Sequence, residues 1–370
     1  MRNRQLIVKS GISGAVGIGL LVIHCSVFAE QDYLLTTFQM PDVERGYVSL
    51  DYTYFSESLD VFNYSEKLES TFKPERASSF HGSLSVQVTS RLMISYEREG
   101  TSATTSRDRE PFRVSSDVVG NSGLIQWQLG EVLGHDAEVF FGYAKRAQDP
   151  LSIECYEYSG ITVGRCEGAD FTFQDPETGL DEPAVVTSAH ETRWSIGFSM
   201  NRAISDRWTL QHTLRYRSSD VSAKVDATIL TIEDPFLLGV RINGERLGDT
   251  IDQLRQTFPQ SRPWTERIVR YDLGLNWSVS DRWMVSNTIG FLSASRSDYE
   301  KVSGSEGYNS NWVWNASIWY MPSSQVTTYL RGTLTRHYLL GLDSMLYNQR
   351  TAKFFAHPYG QISAGLVFSF

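Results

Sequence analysis

The chain contains twelve segments of about ten residues in which apolar and polar side chains alternate. This period of two is that of a β-strand, whose successive side chains point to opposite faces. In the first segment Val48, Leu50 and Tyr52 share one face, while Ser49 and Asp51 share the other. The pattern predicts an all-β fold whose strands each have one apolar and one polar face. The segments are residues 47–55, 81–89, 92–98, 124–130, 137–146, 193–201, 208–217, 268–278, 283–296, 311–320, 326–337 and 359–370.

Short and long connections alternate between these segments. Each short connection has a handful of residues, whereas the long ones are expected at 56–79, 99–120, 147–190, 219–266, 297–309 and 338–358. In a soluble β-sandwich, long loops are not expected at one end alone. Short turns at one end and long loops at the other are typical of transmembrane antiparallel β-barrels. The mean hydropathy of the chain is negative, which argues against helical spans but not against strands that alternate.

Two short turns are near-copies of each other, Ser205-Asp206-Arg207-Trp208 and Ser280-Asp281-Arg282-Trp283. A Ser-Asp pair favours a tight turn, because its side chains accept hydrogen bonds from nearby backbone N–H groups. The tryptophan that follows suits a lipid–water interface, where an amphipathic ring is stable. We interpret the repeat as structural.

The C-terminal segment carries the most specific motif. Residues 363–370 read SAGLVFSF, so that a polar residue, Gly365, Phe368 and the terminal Phe370 stand at fixed offsets. This octapeptide resembles the terminal β-signal of bacterial outer-membrane proteins. The resemblance implies recognition by the barrel-assembly machinery, residence in the bacterial outer membrane, and contact with its lipid and lipopolysaccharide. It covers the octapeptide closely and the remaining chain only as architecture.

The first 29 residues read as a cleavable signal peptide. Arg2, Arg4 and Lys9 precede an apolar stretch, and residues 27–29 offer a small-residue cleavage site. We expect a short periplasmic segment at 30–45 and the barrel at 46–370. Losing three positive charges would take the formal net charge from −9 to −12. An acidic chain without a basic cluster argues against nucleic acid as a partner.

Residues 223–243 leave two strand counts possible, twelve or fourteen. The stretches 225–232 and 236–243 flank Glu233-Asp234-Pro235 and would add a spanning hairpin, giving fourteen strands. They carry a single aromatic residue, so we favour twelve strands and a hairpin inside the loop 219–266. Leu247, Ile251, Leu254 and Phe258 then recur at helical spacing, which favours a short amphipathic helix.

On the predicted strands, the face opposite the apolar one points into the lumen. Nine charged side chains lie on that inward face. Opposite charges on opposite walls would impose a transverse field that selects polar solutes. Alternatively, the same residues pair with each other and rigidify a closed lumen. Small inward residues such as Gly142, Gly197 and Gly365 favour a narrow pore, unless a loop occupies it. The charged positions are Arg193, Arg215, Arg217, Arg270, Arg331, Asp51, Glu97, Glu138 and Asp272.

These features favour a narrow diffusion channel for small polar solutes, with loops 147–190 and 219–266 limiting access. A non-enzymatic adhesin, receptor or structural barrel is the alternative. An outer-membrane lipid hydrolase is less favoured: His212 and Asn287 fall on lipid-facing positions without a serine nucleophile, and His81 and Ser83 face the lumen. We expect no enzyme activity, cofactor or metal site. The acidic stretch 175–182 matches no EF-hand loop, so we interpret it as a solvated surface.

Cys155 and Cys166 are predicted to form a disulfide inside the third long loop, because an exported chain meets an oxidising compartment. Two free thiols or a metal site are the alternatives. The bridge would stabilise the loop by about 2–3 kcal/mol on a chain-entropy estimate. Alkylation mapping of the exported protein should find both thiols blocked until a reductant is added; two freely alkylated cysteines would refute the bridge.

Overall fold

In the part of the chain that the computed structural model describes, twelve antiparallel strands close into a barrel. The described residues are 46–56, 72–107, 110–148, 151–153, 155–158, 161–164, 185–227, 233, 235–239, 241–242, 245–246, 248–249, 251–252, 261–297, 308–337, 340–341, 344–345 and 359–370. The barrel strands are β1 Gly46–Ser56, β2 Phe72–Thr89, β3 Leu92–Arg107, β4 Glu110–Val132, β5 His135–Gln148, β6 Val185–Ser205, β7 Trp208–Ala227, β8 Ser261–Ser280, β9 Trp283–Ser297, β10 Ser310–Tyr320, β11 Val326–Thr335 and β12 Tyr359–Ser369.

The barrel closes where the first strand meets the last. β1 pairs with β12 along eight positions, from Tyr47 opposite Ser369 to Tyr54 opposite Ile362. The backbone N–H of Gly46 donates to the carbonyl of Phe370 at 3.1 Å, and the N–H of Phe370 returns the bond at 3.0 Å. An open edge in lipid would leave a row of backbone groups unpaired, which closure prevents.

The two faces of the wall differ as the alternation predicts. In β1, Val48, Leu50 and Tyr52 are exposed on the outside, whereas Ser49 and Asp51 are buried inside. β9 shows the same alternation along most of its length. An outer band of apolar and aromatic side chains over a polar interior is the arrangement of a barrel in lipid.

Aromatic pairs lie at the end of the barrel that carries the short turns, here called the inner end. Trp208 and Trp277 stack with ring centroids 5.4 Å apart, and Trp283 packs on Tyr320 at 4.6 Å. These positions match the aromatic girdle that barrels place at a membrane interface. The predicted turn chemistry is confirmed: Ser205 Oγ accepts from the Arg207 N–H at 3.4 Å, and Ser280 Oγ from the Arg282 N–H at 3.3 Å.

The predicted strands are correct at the inner end and too short at the outer end. The clearest correction concerns residues 99–120, expected as a loop. β3 and β4 instead pair out to Arg107 opposite Glu110, with one register shift after Ser106. Beyond the membrane the outward side chains need not be apolar, so the alternation fades while the backbone ladder continues in water. A pattern of hydrophobicity therefore marks only the lipid-embedded part of each strand.

Residues 150–189 and 222–262 belong to a compact unit of their own. Within it, Leu151–Ile153 pairs with the start of β6, and Cys155–Tyr158 pairs with Ile161–Gly164. The stretch 236–243, considered above as the second strand of a hairpin, is not a strand along its length. Pro235–Gly239 is a short helix, and Arg241–Ile242 after it pairs with Glu245–Arg246. The barrel thus has twelve strands and not fourteen.

Several predictions lie outside the described residues. They concern the signal peptide, the segment 30–45, Cys166, the acidic stretch 175–182 and most of the proposed helix after residue 247. Within the described residues, no helix is long and apolar enough to cross a membrane.

Changing Phe370 to Asp is expected to impair assembly, because the residue completes the β1–β12 closure and presents its ring to the outside. The mature protein should fall in amount in the outer-membrane fraction and lose heat-modifiable migration on gels. Leu133→Asp is the matched control: Leu133 is exposed in the inner-end turn between β4 and β5 and pairs with no strand. Normal assembly of the Phe370 variant would contradict the role of the terminal residue.

Candidate functional site: the barrel lumen

Hydroxyl groups line much of the inner wall and bond across strands. Ser49 on β1 and Ser83 on β2 lie 2.5 Å apart through their Oγ atoms. Thr53 Oγ1 donates to Ser363 Oγ on β12 at 2.8 Å. All four side chains are buried. The lumen wall is therefore polar at these positions. Its buried hydroxyl groups find hydrogen-bond partners on the neighbouring strands.

Four of the predicted lumen charges form two ion pairs. Arg331 Nη2 lies 3.2 Å from Asp51 Oδ2, and the hydroxyl of Tyr329 donates to the same carboxylate. Arg270 Nη2 lies 2.8 Å from Asp272 Oδ1 on its own strand. Asp51 and Arg331 do not face each other across the lumen, because only β12 separates β1 from β11. These pairs fit the alternative in which the lumen charges pair with each other, and not the one in which opposite charges face each other across the lumen.

The other predicted lumen charges meet different partners. The guanidinium of Arg215 lies 5.9 Å from the centroid of the Phe140 ring, within cation–π range. Glu97 Oε2 accepts a hydrogen bond from Ser122 Oγ at 2.6 Å. Arg217 Nη2 lies 3.4 Å from Glu266 Oε1. Arg193 and Glu138 are both half-buried, on the wall formed by β5 and β6.

A set of paired charges near the outer end was not predicted from the sequence. Arg146 donates through Nε to Glu99 at 2.5 Å and through Nη1 to Glu191 at 2.8 Å. Glu99, Glu191 and Glu266 lie beyond the expected strand ends, where the outward alternation no longer marks a strand. Arg146 did carry a signal, because it follows Gly142 and Ala144 on the inward face.

A small cavity lies beside these charges. Its volume of about 10 Å³ is room for one water molecule. Carboxylates of Glu97 and Glu99 border it together with the guanidinium groups of Arg146 and Arg193. It is lined by His81, Glu97, Glu99, Gly120, Asn121, Ser122, Ala144, Arg146 and Arg193.

The small inward residues do not leave the open space that we expected. A Cβ on Gly197 would overlap the ring of Phe140, and one on Gly365 would overlap the ring of Tyr329. A Cβ on Gly290 would overlap the Asp272 carboxylate. Large side chains on neighbouring strands fill the room above these glycines. A glycine on one strand thus makes room for a larger side chain on the next. This volume match depends on which residues are paired, so it cannot be seen in the sequence of one strand alone.

The segment after β11 folds inward at the outer end, and Asn311 holds it. The side-chain Nδ2 of Asn311 donates to the carbonyls of His337 and Leu340 at 2.7 and 2.9 Å, and its Oδ1 accepts from the His337 N–H at 2.9 Å. Leu340, Ser344 and Met345 are buried. We call the described residues 336–337, 340–341 and 344–345 the inward loop.

A second anchor of the inward loop is Glu266 on β8. Its Oε1 accepts from Ser344 Oγ at 2.7 Å, while Oε2 lies 2.6 Å from Arg296 Nη2. The ring of His337 stacks on Tyr308 with centroids 3.9 Å apart. Burial, followed by the nearby Arg336 charge, lowers the pKa of His337, so the neutral ring is favoured in this stack. Two polar anchors and one aromatic stack therefore fix the loop.

On the outer wall, His212 and Asn287 lie where the lipid-facing pattern put them. His212 Nδ1 and the Tyr271 hydroxyl are 2.7 Å apart, and the His135 ring lies 6.3 Å from the His212 ring. Asn287 is exposed opposite Ala316. His81 and Ser83 are buried on the lumen side, away from this group. The outer wall thus carries a hydrogen-bonded His–Tyr pair.

No protein-family model matches the chain, and no curated protein matches its sequence. Among solved structures, the translocator domain of the autotransporter NalP from Neisseria meningitidis is similar at 10% identity and TM-score 0.49, covering 92% of this chain and 93% of that one. The beta domain of the Bordetella autotransporter BrkA is similar at 10% identity and TM-score 0.47, covering 88% and 99%. The NanC porin is similar at 10% identity and TM-score 0.41, covering 88% and 100%.

All three are bacterial outer-membrane β-barrels, and at this identity the likeness concerns architecture alone. The closed twelve-stranded wall and its apolar outer face define the same class independently. The chain has the fold of a transmembrane β-barrel, the fold of the bacterial outer-membrane barrels.

Asn311→Ala is expected to release the inward loop, because it removes three hydrogen bonds to loop backbone. Buried hydrogen bonds of this kind are worth about 1–3 kcal/mol when a partner is left unsatisfied, enough to raise the open population roughly tenfold. Trypsin cleavage within residues 338–358 of the folded protein should accelerate accordingly. Asn309→Ala is the control, since Asn309 bonds Ala294 through its backbone carbonyl. Equal cleavage rates in both variants would contradict the anchoring role.

Proposed function

We propose that the protein is a narrow outer-membrane channel for small polar solutes, restricted at its outer end by the inward loop. The observation that carries the proposal is this loop, which is folded into the barrel and bound by Asn311 and Glu266. A loop held inside the wall by buried polar anchors acts as a restriction on whatever passes. Loops 147–190 and 219–266 stay as predicted further limits on access.

The polar wall supports the same proposal. A solute that leaves bulk water needs replacement hydrogen bonds, since a polar group without them costs several kcal/mol. Serine and threonine hydroxyls, with charges such as Arg215 and Arg270, are distributed along the inward faces of the strands. Such a wall suits small hydrophilic molecules. The proposal assigns no enzymatic activity and needs no cofactor.

A closed surface protein is the second candidate, an adhesin, receptor or structural barrel. The lumen ion pairs Asp51–Arg331 and Arg270–Asp272 favour it, because paired charges brace a wall without a solute. The long β3–β4 ribbon also favours it, because a paired ribbon beyond the membrane offers a surface to a partner. This candidate predicts no transport in any state of the inward loop.

Conductance of the purified, refolded protein in a planar bilayer separates the two candidates. We expect a small conductance for the wild type and a larger one for Asn311→Ala. In that background Arg215→Glu should move the reversal potential across a salt gradient toward cation preference, because a negative charge replaces a positive one on the wall. Arg267→Glu is the control, since Arg267 is exposed on the outside of β8.

Absence of conductance in the wild type and in Asn311→Ala would overturn the channel and leave the closed barrel. An equal shift of the reversal potential in the Arg267 and Arg215 variants would show that Arg215 does not line the path.

A further inference from the structure

On six strands, β1, β3 and β9–β12, the polar lining of the lumen gives way to an apolar side chain near the inner end. Tyr47, Trp319, Tyr329 and Val367 are buried and pack together as one cluster, with the rings of Trp319 and Tyr329 only 4.4 Å apart. We call these four residues, with Met93 and Met284 that pack against them, the inner collar. All six lie within a few positions of a short turn or of a chain end of the barrel.

The inner collar reaches from one side of the barrel to the other. Met93 stands on β3 and Met284 on β9, and five strands separate these two in either direction around the wall. They are therefore on opposite sides of a twelve-stranded barrel. The four clustered residues stand on β10, β11, β12 and β1, in the arc between the two methionines, so the inner collar follows one half of the wall at the inner mouth of the lumen.

Hydrogen bonds fix the two largest rings of the inner collar. Trp319 Nε1 donates to Ser317 Oγ at 2.8 Å, and the Tyr329 hydroxyl donates to Asp51. Asp51 is in turn paired with Arg331. Gly365 leaves the space that the Tyr329 ring fills. The polar wall above thus orients the apolar rings below, so that they narrow the inner mouth from one half of the wall.

An apolar constriction in a channel acts by excluding water. An ion that passes the inner collar loses water contacts on the apolar side without replacement partners there, which is more costly than for an uncharged polar molecule. Building on the proposed channel, we propose that the inner collar is its selectivity element, admitting small uncharged polar solutes and holding back ions.

The test compares two tryptophans of the same strand. Trp319→Ala removes the largest ring of the inner collar, whereas Trp314→Ala removes an exposed ring on the lipid side of β10. Conductance in KCl and liposome swelling in the uncharged pentose arabinose are measured for both. We expect Trp319→Ala to raise KCl conductance several-fold and the swelling rate much less. Tyr329→Phe keeps the ring but removes its bond to Asp51, so it should raise KCl conductance less than Trp319→Ala does.

A second measurement does not depend on transport. Ser363→Cys places a thiol on the inward face of β12, above Val367 and Gly365. Its rate of reaction with a charged, water-soluble thiol reagent reports whether water reaches the lumen from the inner end. The reaction should be slow in the Ser363→Cys protein and several-fold faster when Trp319→Ala is added. Adding Trp314→Ala should leave it slow.

The outcomes separate the collar from the channel. Faster labelling with Trp319→Ala but no conductance or swelling in any variant would retain the collar as a seal and overturn the proposed channel. Transport by the wild type, with Trp319→Ala indistinguishable from Trp314→Ala in conductance and labelling, would overturn the collar and retain the channel. Equal acceleration by both tryptophan variants would also overturn the collar, because it would indicate a general loss of packing.

Discussion

The pairing of β1 with β12 is the interaction on which the rest of the structure depends. In lipid every backbone N–H and C=O needs a partner within the protein, so twelve strands joined by eleven pairings, with two free edges, would not be stable there. The reciprocal bonds between Gly46 and Phe370 complete the ring at its inner end. Closure then forces half of all side chains inward, and their chemistry decides whether the interior is a core, a passage or a sealed space.

Because closure fixes which residues are neighbours, it also decides how the interior charges are compensated. Asp51 and Arg331 lie 280 positions apart in the sequence, yet only one strand separates them in the barrel. Glu266 similarly joins β7, β9 and the inward loop through Arg217, Arg296 and Ser344. The two ends of the lumen consequently differ in kind: polar anchors hold a loop at the outer end, and apolar rings meet at the inner end.

The sequence was sufficient to predict the strand number, the inner turns and the alternation of outward apolar with inward polar side chains along most of the wall, because lipid requires an apolar outer face. It was insufficient at the outer end, where Glu99, Glu191 and Glu266 continue strands in water without an apolar partner face. It was also insufficient for contacts such as Arg146 with Glu191, since these depend on the register between strands. The direction of a side chain follows from its place in its own strand. The side chains that it contacts follow from the strand order and the register of the closed sheet.

The inner collar did leave a trace in the sequence, as a local loss of the alternation. Three consecutive apolar residues occur around each of Met93, Met284, Trp319 and Val367, where a period of two would place a polar residue in the middle. A strand embedded in lipid needs only one apolar face, so an apolar residue on the inward face must be explained by something inside the barrel. Four such interruptions at one end of the lumen indicate one apolar feature shared by several strands. In a barrel, departures from the period therefore carry information about the interior that the period itself cannot supply.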